Sequence, residues 1–330
     1  MILILYTSIF SGRRRPGHID KLTDVLGWRL VNGTRAPLVA ALMIRAAGLL
    51  LAAGAVGVAA GCAPSLATMQ PAHVAPKGHF EATMAVEISA PTGTISRVID
   101  AGKDLSNQAS MQMNLTPQQE QQVFEAGVNV VVVPPSAGYH LAIAYTVLDH
   151  WELNLRYAGG GWRLGTRYQI LNHQDGPLDL TVGAGVARAA FEIPLASYIP
   201  ILEVDDFTRW TVDVAPFQIG TARSWYRVWL APRFLYSHFT TALRLSIPGV
   251  DTPDLASFEG HTIYYGGQGG VALGYRHIFF GVELTLAQVT GTGTVTAASD
   301  PRNGGSEPIA RTANLDGFVI YPAFGFMGEF

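Results

Sequence analysis

The sequence predicts an all-β fold: a transmembrane antiparallel up-and-down barrel of about ten strands, with eight and twelve as the neighbouring counts. Three observations predict it. Long stretches alternate apolar and polar residues, the period of a strand whose successive side chains point to opposite faces. Aromatic residues stand at the ends of the apolar rows, where a membrane meets water. Finally, 48% of the residues are apolar, yet they never gather into the run of about 20 that a membrane helix requires.

The chain opens with a leader. Ala46 to Ala60 is a short apolar run rich in Gly and Ala behind Arg45, the layout of a secretory signal peptide. Met43-Ile44-Arg45 forms a complete n-region, so residues 1–42 read as an upstream extension, and residues 1–61 are set aside from fold reasoning. The run ends in Ala59-Ala60-Gly61-Cys62, and Cys62 is the only cysteine. Small residues before a cysteine, directly after an apolar run, resemble the lipobox of bacterial lipoproteins. That resemblance implies a diacylglycerol thioether on Cys62 and the lipoprotein-sorting machinery as a partner. A single cysteine excludes an internal disulfide.

From Cys62 to Phe330 there are 269 residues, enough for one sizeable domain. Setting aside the leader's 7 basic and 2 acidic residues leaves 15 basic and 23 acidic, a net charge of −8 that argues against nucleic acid. Of those basic residues 13 are arginines, whose planar guanidinium suits fixed ion pairs such as a barrel lumen needs.

Residues 62–78 are rich in Pro and Ala without periodicity and read as a flexible tether. The barrel domain is expected over 79–330. His79 to Ala90 alternates cleanly and reads as the first strand, with Glu81 and Glu87 on its polar face. The long excursion 91–137 breaks the pattern. Within it Thr116-Pro117-Gln118-Gln119 has the N-cap, the proline at the first helical position and the capping-box Gln of a short helix from Pro117 to about Ala126. An excursion of this length is a plug or a functional loop, or hides one more hairpin.

From Tyr139 the chain is regular. Rows through Tyr139, Trp151, Trp162 and Leu178 oppose Glu152, Arg156, Arg163, Arg167 and Asp179, with tight turns near Asp149, Gly159 and Asn172. Strands follow over 207–219, 225–238, 263–275 and 279–288, carrying Arg227, Arg233 and Glu283 on the polar parity. Three longer polar stretches, near 198–206, 245–258 and 291–313, read as loops. A soluble β-sandwich alternates in the same way, and a secreted sandwich lipoprotein is the competing fold; the aromatic row ends favour the membrane.

The last stretch, 314–330, places Phe318, Ile320, Phe324, Phe326 and Phe330 on one face and mostly small residues on the other. A final strand ending on a terminal aromatic resembles bacterial outer-membrane β-barrel proteins. The resemblance implies that this strand closes the cylinder, that Phe324, Phe326 and Phe330 are read by the barrel-assembly machinery, and that the chain sits among outer-membrane lipid. With Phe330 on the periplasmic side, most tight turns fall there too. An even strand count then returns a lipid-anchored N-terminus to that side.

Glu81, Glu87, Glu152, Arg156, Arg163, Arg167, Asp179, Arg227, Arg233 and Glu283 are therefore expected to pair across a narrow lumen. The function classes left open are a structural or surface-binding barrel, a narrow pore for small solutes, and a lipid hydrolase or acyltransferase. The enzyme reading rests on Ser237, His238, Glu259 and His261, which fall near one rim on neighbouring strands, where a nucleophile beside a base suits acyl transfer. Gly183 to Gly185 and Gly266 to Gly270 lack dinucleotide spacing and read as small residues beside bulky neighbours. No cofactor is expected. No metal is expected either, because the histidines show no paired ligand spacing.

Overall fold

The computed structural model describes residues 63–97, 99–100, 116–173, 176–193, 202–245, 254–297 and 309–330. Cys62 and the leader lie outside the described residues. The elements are β1 (Phe80–Pro91), α1 (Pro117–Val132), β2 (Ser136–Leu148), β3 (Trp151–Ala158), β4 (Gly161–Leu171), β5 (Asp179–Ile193), β6 (Leu202–Ala222), β7 (Tyr226–Leu245), β8 (Asp254–Tyr275), β9 (Ile278–Ala297), β10 (Ile309–Asn314) and β11 (Gly317–Glu329).

Each strand from β1 to β9 pairs antiparallel with the next, β9 pairs with β11, and β11 returns to β1, so ten strands close a cylinder. The short β10 lies on the distal part of β9 and continues the line of β11. At the seam Phe80 and Phe330 exchange two backbone hydrogen bonds of 2.8 and 2.9 Å.

The polarity of the wall is inverted relative to a water-soluble protein. Leu164 and Leu230 are about 60% exposed on the outside (59% and 61%), while Glu152 and Glu283 on the inside are fully buried. A sandwich in water buries its apolar parity, so this arrangement excludes the sandwich; only a surrounding apolar medium makes the outer face favourable.

Short connections gather at one end with Phe80 and Phe330: those after Leu148, Leu171, Ala222 and Tyr275. The opposite end carries the long connections and the two-residue turn at Gly159-Gly160. Wall height is uneven, because β3 has 8 residues and β8 has 22. Roughly 10 tilted residues cross a bilayer, so β6 to β9 project past it at the long-connection end. There the outward row changes from Tyr236 and Tyr265 to His238, Thr240, Glu259 and His261, and this polar upper wall is why parts of 198–206, 245–258 and 291–313 read as loops when they are strand.

The helix begins where its capping box predicts: the Thr116 hydroxyl accepts from the Gln119 N–H and the Gln119 side chain accepts from the Thr116 N–H. It ends later, at Val132 rather than near Ala126, because Val128 and Val132 are buried against Phe207, Phe239 and Leu315. Tertiary burial there outweighs the modest helix propensity of valine.

Candidate functional site

The lumen is filled by the chain itself. Residues 62–78 read as a flexible tether, but Ala63 to Ala75 is buried throughout and runs without helix or strand along the inside of the barrel, with Pro76 to Gly78 exposed after it. At its start Ala63 lies against the Gly159 turn of the long-connection end. A Cβ on Gly159, whose φ is +56°, would stand 2.7 Å from the Ala63 carbonyl oxygen. At its finish Gly78 donates to the Thr146 carbonyl (2.9 Å) beside Phe80 at the short-turn end.

A segment with no regular structure needs outside partners for its backbone, and the wall supplies them in sequence. Ser65 donates to Glu87 (2.8 Å). Arg156 donates to the Ala67 carbonyl. The Glu283 carboxylate accepts from the Thr68 N–H (2.6 Å), the Thr68 hydroxyl (3.0 Å), the Met69 N–H (3.1 Å) and the Trp229 indole (2.9 Å). Gln268 donates to the Thr68 hydroxyl (2.9 Å), and Gln218 and Arg167 donate to the carbonyls of Gln70 and Pro71.

The remaining lumen charges form two clusters. Near the long-connection end Asp213 accepts a bidentate fork from Arg163 (2.8 and 2.9 Å) and a bond from Arg233 (2.9 Å), while Asn154 accepts from Arg163 (2.6 Å). Toward the short-turn end Arg167 forks onto Glu152 (2.9 and 2.5 Å) and lies 3.5 Å from Glu81; Arg227 is 3.8 Å from Glu81, pairs with Glu329 and lies over the Phe279 ring. Here too Asp179 accepts from Gln169 (2.8 Å) and from the backbone and ring of His173 (2.9 Å each), and the His173 ring stands 5.2 Å from that of His73 on the threaded segment.

Helix α1 covers the long-connection end. Asn129 and Gln121 donate to the carbonyls of Asn314 and Thr312 (3.0 and 2.9 Å), and Arg209 donates to the Val132 carbonyl (2.9 Å). The excursion is thus a lid at its described end.

All ten residues expected in the lumen are buried there. They do not all pair with one another: Glu283 is held by the threaded segment and Trp229, Glu87 by Ser65 and His140 (3.4 Å), and Asp179 by His173 and Gln169. Asp213 and Glu329 were missed: Asp213 lies on the inward parity with Arg209 and Thr211, whereas Glu329 ends a row of mostly small residues that gives no polar signal. Gly185 and Gly270 do stand beside bulky neighbours, since a Cβ on either would come within 2.4 Å of Arg163 or Trp229.

The structure does not bring the rim grouping together. Ser237 is buried on the inside, whereas His238 is on the outside with Glu259 (3.7 Å) and His261, because adjacent strand residues face opposite sides. Phe324, Phe326 and Phe330 point outward, Phe326 edge-on to Phe280 (5.4 Å).

No protein-family model and no curated protein matches the sequence. Solved structures similar to the chain include outer-membrane proteins. A major outer membrane protein from Thermus thermophilus is 8% identical at a TM-score of 0.34, with 76% of this chain and 99% of that one covered. The outer membrane protein OprG from Pseudomonas aeruginosa is 11% identical at 0.35, covering 78% and 97%. The outer membrane protease OmpT from Escherichia coli is 9% identical at 0.37, covering 81% and 100%. Such distant likenesses say nothing about role.

Proposed function

We propose that the protein is an outer-membrane barrel with a closed lumen, whose role is to hold its own N-terminal segment across the membrane and present the residue before Ala63 at the outer surface. The observation that carries this reading is the burial of Ala63 to Ala75 from one end of the barrel to the other. A filled lumen under a helical lid favours a structural or surface role over conduction. Ser237 and His238 on opposite faces of the wall disfavour the hydrolase.

Short turns lie on the periplasmic side of such barrels, which assigns Phe330 there and Ala63 to the outside. Cys62 is one peptide step, about 3.8 Å, from Ala63. The proposed lipid anchor therefore belongs to the outer leaflet, not to the periplasmic side expected from an even strand count alone. The low rim at Gly159 suits it: the Tyr157 and Trp162 rings, 5.0 Å apart and outward, stand where aromatic residues meet the membrane interface. Recognition of Phe324, Phe326 and Phe330 by the barrel-assembly machinery is part of the same proposal.

An epitope inserted between Cys62 and Ala63 tests it. Antibody should reach the epitope in intact cells, and palmitate labelling should disappear in Cys62→Ser. Detection only after the outer membrane is permeabilised would reverse the assignment of sides.

A further inference from the structure

His73 is the only histidine of the threaded segment, and its environment is incompletely satisfied. Its side chain is about nine-tenths buried (9% exposed), Nε2 is 3.6 Å from a Glu329 oxygen, and Nδ1 has no hydrogen-bond partner among the described residues. A buried polar atom without a partner costs about 1–3 kcal/mol, so an arrangement that retains one points to a missing partner. One donor atom each from His73, His173 and Asp179 lie within 4.8 Å of one another. Asp179 Oδ1 is already held by the Gln169 amide and the His173 N–H, while Oδ2 accepts only from the His173 ring at 3.1 Å.

Charge points the same way. The connected groups at this end include four carboxylates, Glu81, Glu152, Asp179 and Glu329, but two guanidiniums, Arg167 and Arg227. Asp179 itself pairs with no arginine among the described residues, so its carboxylate is open to a cation. The cluster around Asp213, with Arg163 and Arg233, has no such excess of carboxylates.

We infer that His73, His173 and Asp179 form a binding site for a divalent transition-metal ion, which joins the threaded segment to the barrel wall at the short-turn end. Two imidazoles and a carboxylate suit zinc and its neighbours rather than calcium or magnesium. Ligand atoms around a tetrahedral zinc stand about 3.3 Å apart; His173 Nδ1 and Asp179 Oδ1 are already 2.9 Å apart, so His73 is the group that approaches, by at most roughly 1.5 Å. His73 lies on an irregular segment and His173 in a turn, where side chains move more readily than on a strand. The inference depends on the filled lumen but not on which side of the membrane Ala63 occupies.

The test is calorimetric titration of zinc chloride into chelator-treated, full-length protein folded in detergent. One zinc ion per chain is expected, bound at least tenfold more weakly by His73→Ala and by His173→Ala, and unchanged in His261→Ala on the outer wall. Cobalt titrated into the unsubstituted protein should give the visible absorption of a site with nitrogen ligands, a readout that does not depend on variants folding. Absence of saturable binding, affinity in both histidine variants equal to that of the unsubstituted protein, or loss of binding in His261→Ala instead would overturn the site.

Discussion

Among the described residues no guanidinium pairs with Glu283, which is nevertheless fully buried, because four neutral donors surround its carboxylate. Hydrogen bonds to a charged group contribute about 1.5–3 kcal/mol each and are not additive. Glu283→Ala, which strands the Thr68, Met69 and Trp229 N–H groups, is expected to lower stability by roughly 3 kcal/mol or more, and Glu283→Gln by about 1–2 kcal/mol. Urea unfolding in detergent followed by tryptophan fluorescence measures this; unchanged midpoints in both variants would show that the carboxylate does not clamp the segment. At this scale the alternation made the inward charges legible, since parity alone assigns a strand residue to a face. It did not name their partners. Glu283 meets residues 214 and 215 positions earlier in the chain, and no local pattern encodes that. Ser237 and His238 show the opposite lapse, where proximity in sequence was given more weight than parity.

Among the elements, the threaded segment was the least legible and α1 the most. The helix announces its start through Thr116, Pro117 and Gln119, a signal contained within four residues. The segment from Ala63 has no such signal: its order comes from Arg156, Glu283, Gln218 and Arg167 on the wall, so by composition it reads as a tether. Deleting residues 64–75 should leave a folded barrel with heat-modifiable migration and produce discrete conductance in planar bilayers, while the full chain stays silent. Equal conductance from both would mean that the segment does not close the lumen. For the lid, Val128→Asp combined with Val132→Asp should detach α1 from Phe207 and Leu315, burying two carboxylates being prohibitive. Faster proteolysis within 117–132 in detergent is the expected sign, and an unaltered cleavage rate would argue against apolar docking of the helix.

For the whole molecule, strand number and closure were legible because each strand carries its own alternation and Phe330 marks the last one. Wall height was not, since the polar upper parts of β7, β8 and β9 resemble loops once they leave the membrane. Removing Phe330 deletes one partner of the Phe80 seam bonds and an outward aromatic. It is expected to reduce the heat-modifiable fraction more than Arg167→Ala does; normal assembly of the shortened chain would mean that closure does not depend on the terminal residue.

That seam has a further consequence. The strand that closes the ring is bonded to the strand into which the threaded segment leads, so the segment is either enclosed as the ring forms or fed lengthwise into it afterwards. Once closed, the molecule is a thread through a hoop made from the same thread. Release cannot occur sideways; everything preceding Ala63 would have to be drawn lengthwise through the lumen, and any bulky group attached there becomes a stopper that keeps the two interlocked.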